Sequence, residues 1–400
     1  MVKPQPTFDR VTIRNFGCIR DLTLELSQLH ALIGPNDTGK STVLRAIGLA
    51  LRFASPSFSP QAPPPDVTPH NGAAIRLQQG AIGYELALAD GRAEERLVWG
   101  NAVVAALPRA LGIGSQSLVA AASSLVPARA LGNIKGSWPR DLTAGQIGFF
   151  GERDLATFPP GTTEEMPDLR GCHERFSAAL GKGGRTVRLD PDAMRAPSPL
   201  IKAGDVVRLR DERGQGLAGV YDVLINQDFD AFVTIRTRVC ELFPEVKSIA
   251  TENVDEGKKV IKIQLQSGAW VLASDVSEGL LYYLAFAAMP YLAPAAIVLV
   301  EEPENGLHPA RVGEVTRMLR ESSAATQILL ATHSPFVVNE LAADEVSVVT
   351  RTREGGTRVK RIDQTPNFAE RSKAYALGEL WISYADGKDE AALLNGGPRP

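Results

Sequence analysis

Gly34-Pro35-Asn36-Asp37-Thr38-Gly39-Lys40-Ser41 is the segment that most restricts how this chain can fold. It spells G-x-x-x-x-G-K-S between a short apolar run, Leu29 to Ile33, and a segment with Val43, Ile47 and Leu51 at four-residue spacing. The first reads as a strand and the second as a helix, so the glycine-rich turn joins a strand to a helix N-terminus. Glycines in such a turn let backbone N–H groups wrap a phosphate chain, and the helix terminus adds its own amides and dipole. Lys40 is placed to neutralise the β- and γ-phosphates and the Ser41 hydroxyl to ligate Mg2+. Gly34, Asn36, Asp37, Thr38, Gly39, Lys40, Ser41 and Thr42 are therefore the candidate nucleotide-binding residues.

Two further segments carry chemistry. Ile297-Val298-Leu299-Val300 ends in Glu301-Glu302, which puts two carboxylates at the C-terminal end of a buried strand, where ligands bind in open α/β sheets. Glu301 can hold the Mg2+ hydration shell while Glu302 orients or deprotonates the attacking water. Ile328-Leu329-Leu330-Ala331-Thr332 delivers His333 to the same edge, where a γ-phosphate contact is expected.

The remaining chain is read around these sites. Val11, Ile13 and Phe16, then Leu22, Leu24 and Leu26, mark two strands before the glycine-rich turn. Ser55 to Pro69 is proline-rich and reads as a loop. Residues 73–100 predict two or three antiparallel strands joined at Gly80 and Asp90-Gly91. The Ala- and Leu-rich stretch from Asn101 to about Val126 predicts helix, and the polar 155–215 region predicts a peripheral insertion. Phe229, Phe232, Ile235, Val239 and Leu242 form one face of a helix that Pro244 ends, and Ile261, Ile263 and Leu265 alternate in a half-buried strand. Helix and strand then alternate over 278–289, 296–301, 309–321, 327–332 and 335–341, followed by a hairpin turning at Glu354-Gly355-Gly356. This rhythm argues for an α/β fold.

Composition narrows the function classes. Of 400 residues, 44% are apolar and 22% charged, which excludes a wholly disordered chain. The net charge of −3 removes any argument from bulk charge for nucleic-acid binding, leaving only local basic clusters. Cys18, Cys172 and Cys240 suggest neither a disulfide framework nor a zinc site, and fit a reducing cytoplasmic setting. The uncharged run from Gly279 to Val300 is long enough for a bilayer, but Pro290 and Pro294 interrupt it. A buried helix, a turn and a buried strand are expected there, with no membrane association.

In this order the motifs resemble the ABC-type ATPases, a P-loop class that includes SMC, RecF-like and OLD-like proteins. Ser277-Glu278-Gly279, just before an apolar helix and shortly ahead of the paired acids, looks like the family signature. The resemblance implies that Ser277 and Gly279 contact the γ-phosphate held by a second copy. Glu302-Pro303-Glu304-Asn305-Gly306-Leu307-His308-Pro309 and Thr332-His333-Ser334-Pro335-Phe336 are similar to the stand-alone and OLD-like bacterial AAA-labelled ATPases, as are Val126-Pro127-Ala128-Arg129 and Gly148-Phe149-Phe150-Gly151-Glu152. Glu301 stands where ABC proteins usually have aspartate, and Leu280 replaces the small or hydroxyl residue that often follows the signature glycine. The Mg2+-sensing glutamine is left open among Gln78, Gln79 and Gln146.

The resemblance implies an ABC-type P-loop NTPase, with a mixed sheet flanked by helices, an antiparallel β subdomain and a peripheral insertion. Its expected division is an N-terminal lobe over 1–154, the insertion over 155–215, a C-terminal lobe over 216–365 and a tail over 366–400. It implies ATP and Mg2+ as ligands, catalytic roles for Lys40, Glu302 and His333, and a homodimer or higher oligomer closing around ATP. Members of the group commonly serve in phage defence beside a separate effector, a nuclease or toxin. The segment after His333 is short for an added nuclease domain, so no nuclease activity is expected of this chain itself. A DNA-repair or DNA-scanning clamp is the alternative, resting on Arg351, Arg353, Arg358, Lys360 and Arg361 and on Lys182, Arg185 and Arg188.

Overall fold

Strands with no polar face must be covered on both sides, and the runs before Gly34, Glu302 and His333 are of this kind. A computed structural model shows how. It describes residues 5–55, 72–89, 92–100, 102–110, 169–351, 356–366, 368–373 and 375–384. The chain begins with β1 (Arg10–Phe16), β2 (Ile19–Glu25), β3 (Leu29–Ile33) and α1 (Lys40–Ala54). Then come β4 (Ala73–Gln79), β5 (Ile82–Ala89), β6 (Arg92–Trp99) and β7 (Ala102–Ala110). Next are α2 (Leu169–Lys182), β8 (Gly184–Val187), α3 (Pro191–Arg195), β9 (Ser198–Pro199), α4 (Leu217–Gln227) and α5 (Phe229–Leu242). A small sheet follows, of β10 (Val246–Asp255), β11 (Lys258–Leu265) and β12 (Trp270–Leu272), with β9 paired to β11. The last part holds α6 (Glu278–Ala288), β13 (Ile297–Glu301), α7 (Pro309–Ser322), β14 (Gln327–Thr332), α8 (Pro335–Asn339), β15 (Val346–Arg351), β16 (Thr357–Arg361) and α9 (Leu377–Tyr384).

The central sheet runs β16-β15-β3-β14-β13-β8. All its neighbours are parallel except β16, which returns antiparallel on the edge. Alternate side chains of each strand enter two different cores. Ile297, Leu299, Leu329 and Ala331 meet Val43, Leu44, Ile47 and Leu51 of α1. Val298, Val300, Ile328 and Leu330 meet the helices on the other face, including Leu281 and Leu284 of α6 and Val315 and Leu319 of α7. Burial on both faces is why these strands read as continuous apolar runs. The uncharged segment expected as helix, turn and strand is α6, a 3-10 turn over Met289–Tyr291, and β13. No helix among the described residues is long and apolar enough to cross a membrane.

The antiparallel sheet, ordered β2-β1-β4-β5-β6-β7, closes over the far side of α1. Its register puts Ile13 opposite both Leu22 and Ile75, and Ile75 opposite Leu86, in one buried layer. Gln327 of β14 ties down the segments flanking β1 and β2: its side-chain oxygen accepts from the Phe8 amide at 2.9 Å, and its Nε2 donates to Phe8 O at 2.8 Å and Ser27 O at 3.1 Å.

Two expectations need correction. Residues 102–110 form β7, paired antiparallel with β6, and not the helix expected from an Ala- and Leu-rich composition. That composition carries no decisive period, whereas a free edge on β6 offers a full ladder of hydrogen bonds. Residues 111–126 lie outside the described part, as do 56–71 and the family-like segments 126–129 and 148–152. The region expected as a peripheral insertion is not peripheral over 169–199. Its β8 extends the central sheet beside β13, and Phe176 and Leu180 of α2 are fully buried in the α1 core.

Candidate functional site

The glycine-rich turn leaves β3 at Gly34 and enters α1 at Lys40, as the sequence predicts. Asp37 and Gly39 take positive φ, 64° and 104°, so the turn coils back on itself before the helix begins. A Cβ on Gly39 would lie 2.5 Å from Thr357 Oγ1, so the position has neither the torsion nor the space for another residue. Thr357 Oγ1 donates to Thr38 O at 2.9 Å and Arg351 donates to Asp37 O at 3.5 Å, so the β15–β16 hairpin braces the loop. Thr38 Oγ1 donates to Pro35 O at 3.0 Å, and Lys40 Nζ donates to Gly34 O at 2.6 Å and Pro35 O at 2.7 Å. The ammonium thus lies inside the curl of the loop. Asn36, Asp37 and Ser41 are exposed, while Thr42 is buried in the first turn of α1.

Parallel register brings the other candidates to the same edge. Ile33 pairs with Thr332, and Ala331 with Glu301, so β3, β14 and β13 end side by side. Glu302 leaves β13 with φ 46°, unusual for a residue with a side chain, and its amide donates to Ala331 O at 2.8 Å. This bend turns its carboxylate toward β14. His333 Nδ1 lies 3.3 Å from Glu302 Oε1. Glu301 has a nearly buried side chain, 3.6 Å from the guanidinium of Arg188.

Glu304, given no role by the sequence reading, belongs to the same cluster. Its Oε1 accepts from Thr332 Oγ1 at 2.6 Å and from the His333 amide at 3.2 Å, and lies 3.5 Å from His333 Nδ1. Its Oε2 is buried with no hydrogen-bond partner. Trp381 Nε1 donates to His333 O at 3.3 Å. Glu302, Glu304 and His333 place one ligand atom each within 4.8 Å of one another, a spacing a metal ion could bridge. The signal in sequence was the i, i+2 spacing of two acids after a buried strand, which acquires meaning only once β14 is known to lie alongside.

Ser277 is the N-cap residue of α6 and Gly279 lies in its first turn. A Cβ on Gly279 would come 2.9 Å from Gly306 O, so the loop after Glu302 packs directly on the start of this helix. Arg195 braces it from α3, donating to Ala273 O at 3.3 Å and Val276 O at 3.1 Å. The start of α6 is thus held between Gly306 and Arg195. Of the glutamine candidates, Gln78 and Gln79 lie in β4 and Gln146 is outside the described residues.

One titratable group beneath the site is strongly perturbed. His30, on β3, is buried between Ser27 and Ser347, with Nε2 2.9 Å from Ser347 Oγ. Burial, assisted by the Arg361 charge, lowers its pKa to about 4 against the opposing pull of Glu345, Asp344 and Asp363.

A family model described as "AAA domain, putative AbiEii toxin, Type IV TA system" matches residues 190–339, and one described as "AAA ATPase domain" matches residues 8–73. An OLD nuclease from Thermus scotoductus (strain ATCC 700910 / SA-01) is 47% identical over 49 residues, which are 12% of this chain and 9% of that protein. The match therefore spans about a tenth of that relative's length. Among solved structures, the SMC head domain from Thermotoga maritima aligns with 14% identity and a TM-score of 0.42, covering 89% of this chain and 98% of that one. An SmcHead bound to the C-winged helix domain of ScpA aligns with 14% identity and a TM-score of 0.49, covering 89% and 97%. The two family models, both described as AAA domains, match separate parts of the chain, one holding the glycine-rich turn and the other the paired acids and His333.

Proposed function

We propose that this chain binds and hydrolyses ATP in a dimer that closes around the nucleotide, and that closure and reopening drive a partner effector. The supporting observation is the 3.3 Å approach of His333 Nδ1 to Glu302 Oε1 at the ends of adjacent parallel strands, next to the strand that feeds the glycine-rich turn. In this reading Gly34, Asn36, Asp37, Thr38, Gly39, Lys40 and Thr42 cradle the phosphates, and Lys40 exchanges its loop carbonyls for phosphate oxygens. The exposed Ser41 hydroxyl and the Glu301 carboxylate would hold Mg2+, which supplies charge neutralisation on the transferring phosphoryl group. Binding of Mg2+ would draw Glu301 away from Arg188, whose exposed side chain makes only a weak, screened pair. Glu302 orients and deprotonates water, and His333 contacts the γ-phosphate.

Ser277 and Gly279 complete the site from the second copy, which fits their location on a helix N-terminus packed against the post-Glu302 loop. A role in anti-phage defence draws on the wording of the matched family, a toxin of a type IV toxin–antitoxin system, and on the nuclease named in the OLD relative. DNA scanning has less support. Arg361 pairs with Asp363, Arg185 donates to Ala293 O and Arg351 bonds the loop at Asp37, so these cations are engaged locally. Phosphate release by the purified chain with ATP and Mg2+ tests the reading. Release should vanish in Lys40→Ala and Glu302→Gln, and persistence at the parental rate in either would overturn it.

A further inference from the structure

We propose that Glu304 is a positioning residue for hydrolysis, holding His333 so that Glu302 is left available as the base. The inference rests on the reading of Glu302 and His333 above. The imidazole Nδ1 faces two carboxylates at nearly equal distance, 3.3 Å to Glu302 Oε1 and 3.5 Å to Glu304 Oε1. A single Nδ1–H can be donated fully to only one of them. Donated to Glu302, it occupies an acceptor oxygen of the group that must take a proton from water. Donated to Glu304, it leaves that oxygen open.

The two acids are held differently, which assigns their roles. Glu304 is fixed to the strand end that carries the imidazole, through Thr332 Oγ1 at 2.6 Å and the His333 amide at 3.2 Å. The chain continues this clamp, with the Ser334 amide donating to Thr332 Oγ1 at 2.9 Å. Its side chain is only 9% exposed, and its second oxygen is buried with no hydrogen-bond partner, so the carboxylate is not saturated by the two bonds that fix it. Glu302 is the more open of the two, at 31% exposed, and is anchored through its backbone. Backbone turns from Asn305 N to Glu302 O and from Leu307 N to Glu304 O keep both acids facing His333. Glu304 therefore touches neither water nor phosphate in this scheme, and acts through the ring.

A double-mutant cycle on ATP hydrolysis separates this from a purely structural role. Glu304→Gln should lower kcat about tenfold or more with KM for ATP changed less than about twofold, the pattern of an interaction used in the chemical step. In a His333→Ala background the same substitution should change kcat by less than about twofold. If Glu304→Gln folds poorly, Thr332→Val removes the donor that fixes Glu304 and should lower kcat in the same His333-dependent way. A parental kcat for Glu304→Gln, or an equal loss with and without His333, overturns the proposal. If the parent hydrolyses ATP and Glu302→Gln abolishes it while Glu304→Gln does not, only the Glu304 assignment falls.

Discussion

Gly39→Ala is the perturbation whose magnitude the structure fixes best. The residue stands at φ 104°, and a Cβ there would lie 2.5 Å from Thr357 Oγ1 and 3.0 Å from Cys18 Sγ. Holding an alanine in left-handed backbone costs about 1–2 kcal/mol. Making room for the methyl displaces Thr357, which is 4% exposed, and loses its hydrogen bond to Thr38 O, for about 1 kcal/mol more. The total is about 2–3 kcal/mol, divided between two observable losses. If the loop keeps its shape, the protein loses that much stability. If the loop relaxes, ATP affinity falls by up to about 30–150-fold, since 1.4 kcal/mol is tenfold. Calorimetric titration with ATP and thermal unfolding of the same samples measure both. On a Thr357→Ala background the added cost of Gly39→Ala should shrink to the backbone term, about 1–2 kcal/mol. Unchanged affinity together with unchanged stability would refute the account of this turn.

Two other substitutions test the scaffold. Replacing Gln327, which is 1% exposed, with Leu leaves the Phe8 amide and two carbonyls without their partner and should destabilise the fold by about 3 kcal/mol, read by urea unfolding. For His30 the folded pKa of about 4 lies below the ordinary histidine value of 6.5, so the unfolded chain takes up the proton first as pH falls. Stability is full above pH 6.5, declines between there and pH 4 by about 3 kcal/mol in total, and loses no more from this group below pH 4. His30→Gln should flatten unfolding free energy across that window, and a parental pH slope in the variant would contradict the assignment.

How much of this was legible in the sequence depends on where each residue's partner lies. The strands before Gly34, Glu302 and His333 were readable because burial on both faces leaves an unbroken apolar run, and α1 and α5 because their buried positions recur at helical spacing. Strand β7 was misread because Ala and Leu suit a helix as well as an edge strand, and Pro108 is tolerated at that edge. Strand β8 is not legible because Gly184-Arg185-Thr186-Val187 has no period, and its ladder partner among the described residues, β13, comes far later in the chain. Glu304 was quoted but given no task, since Thr332 and His333 become its neighbours only through the parallel register of β13 and β14.

The central claim, that two copies enclose ATP and hydrolysis by Glu302 reopens them, is tested most directly by the molar mass of Glu302→Gln in solution. Light scattering should show a monomer without nucleotide and a dimer with ATP and Mg2+, and adding Gly279→Asp, which the packing of Gly306 O and the facing phosphate both oppose, should return the monomer. A variant that binds ATP yet keeps one mass with and without it would contradict the account.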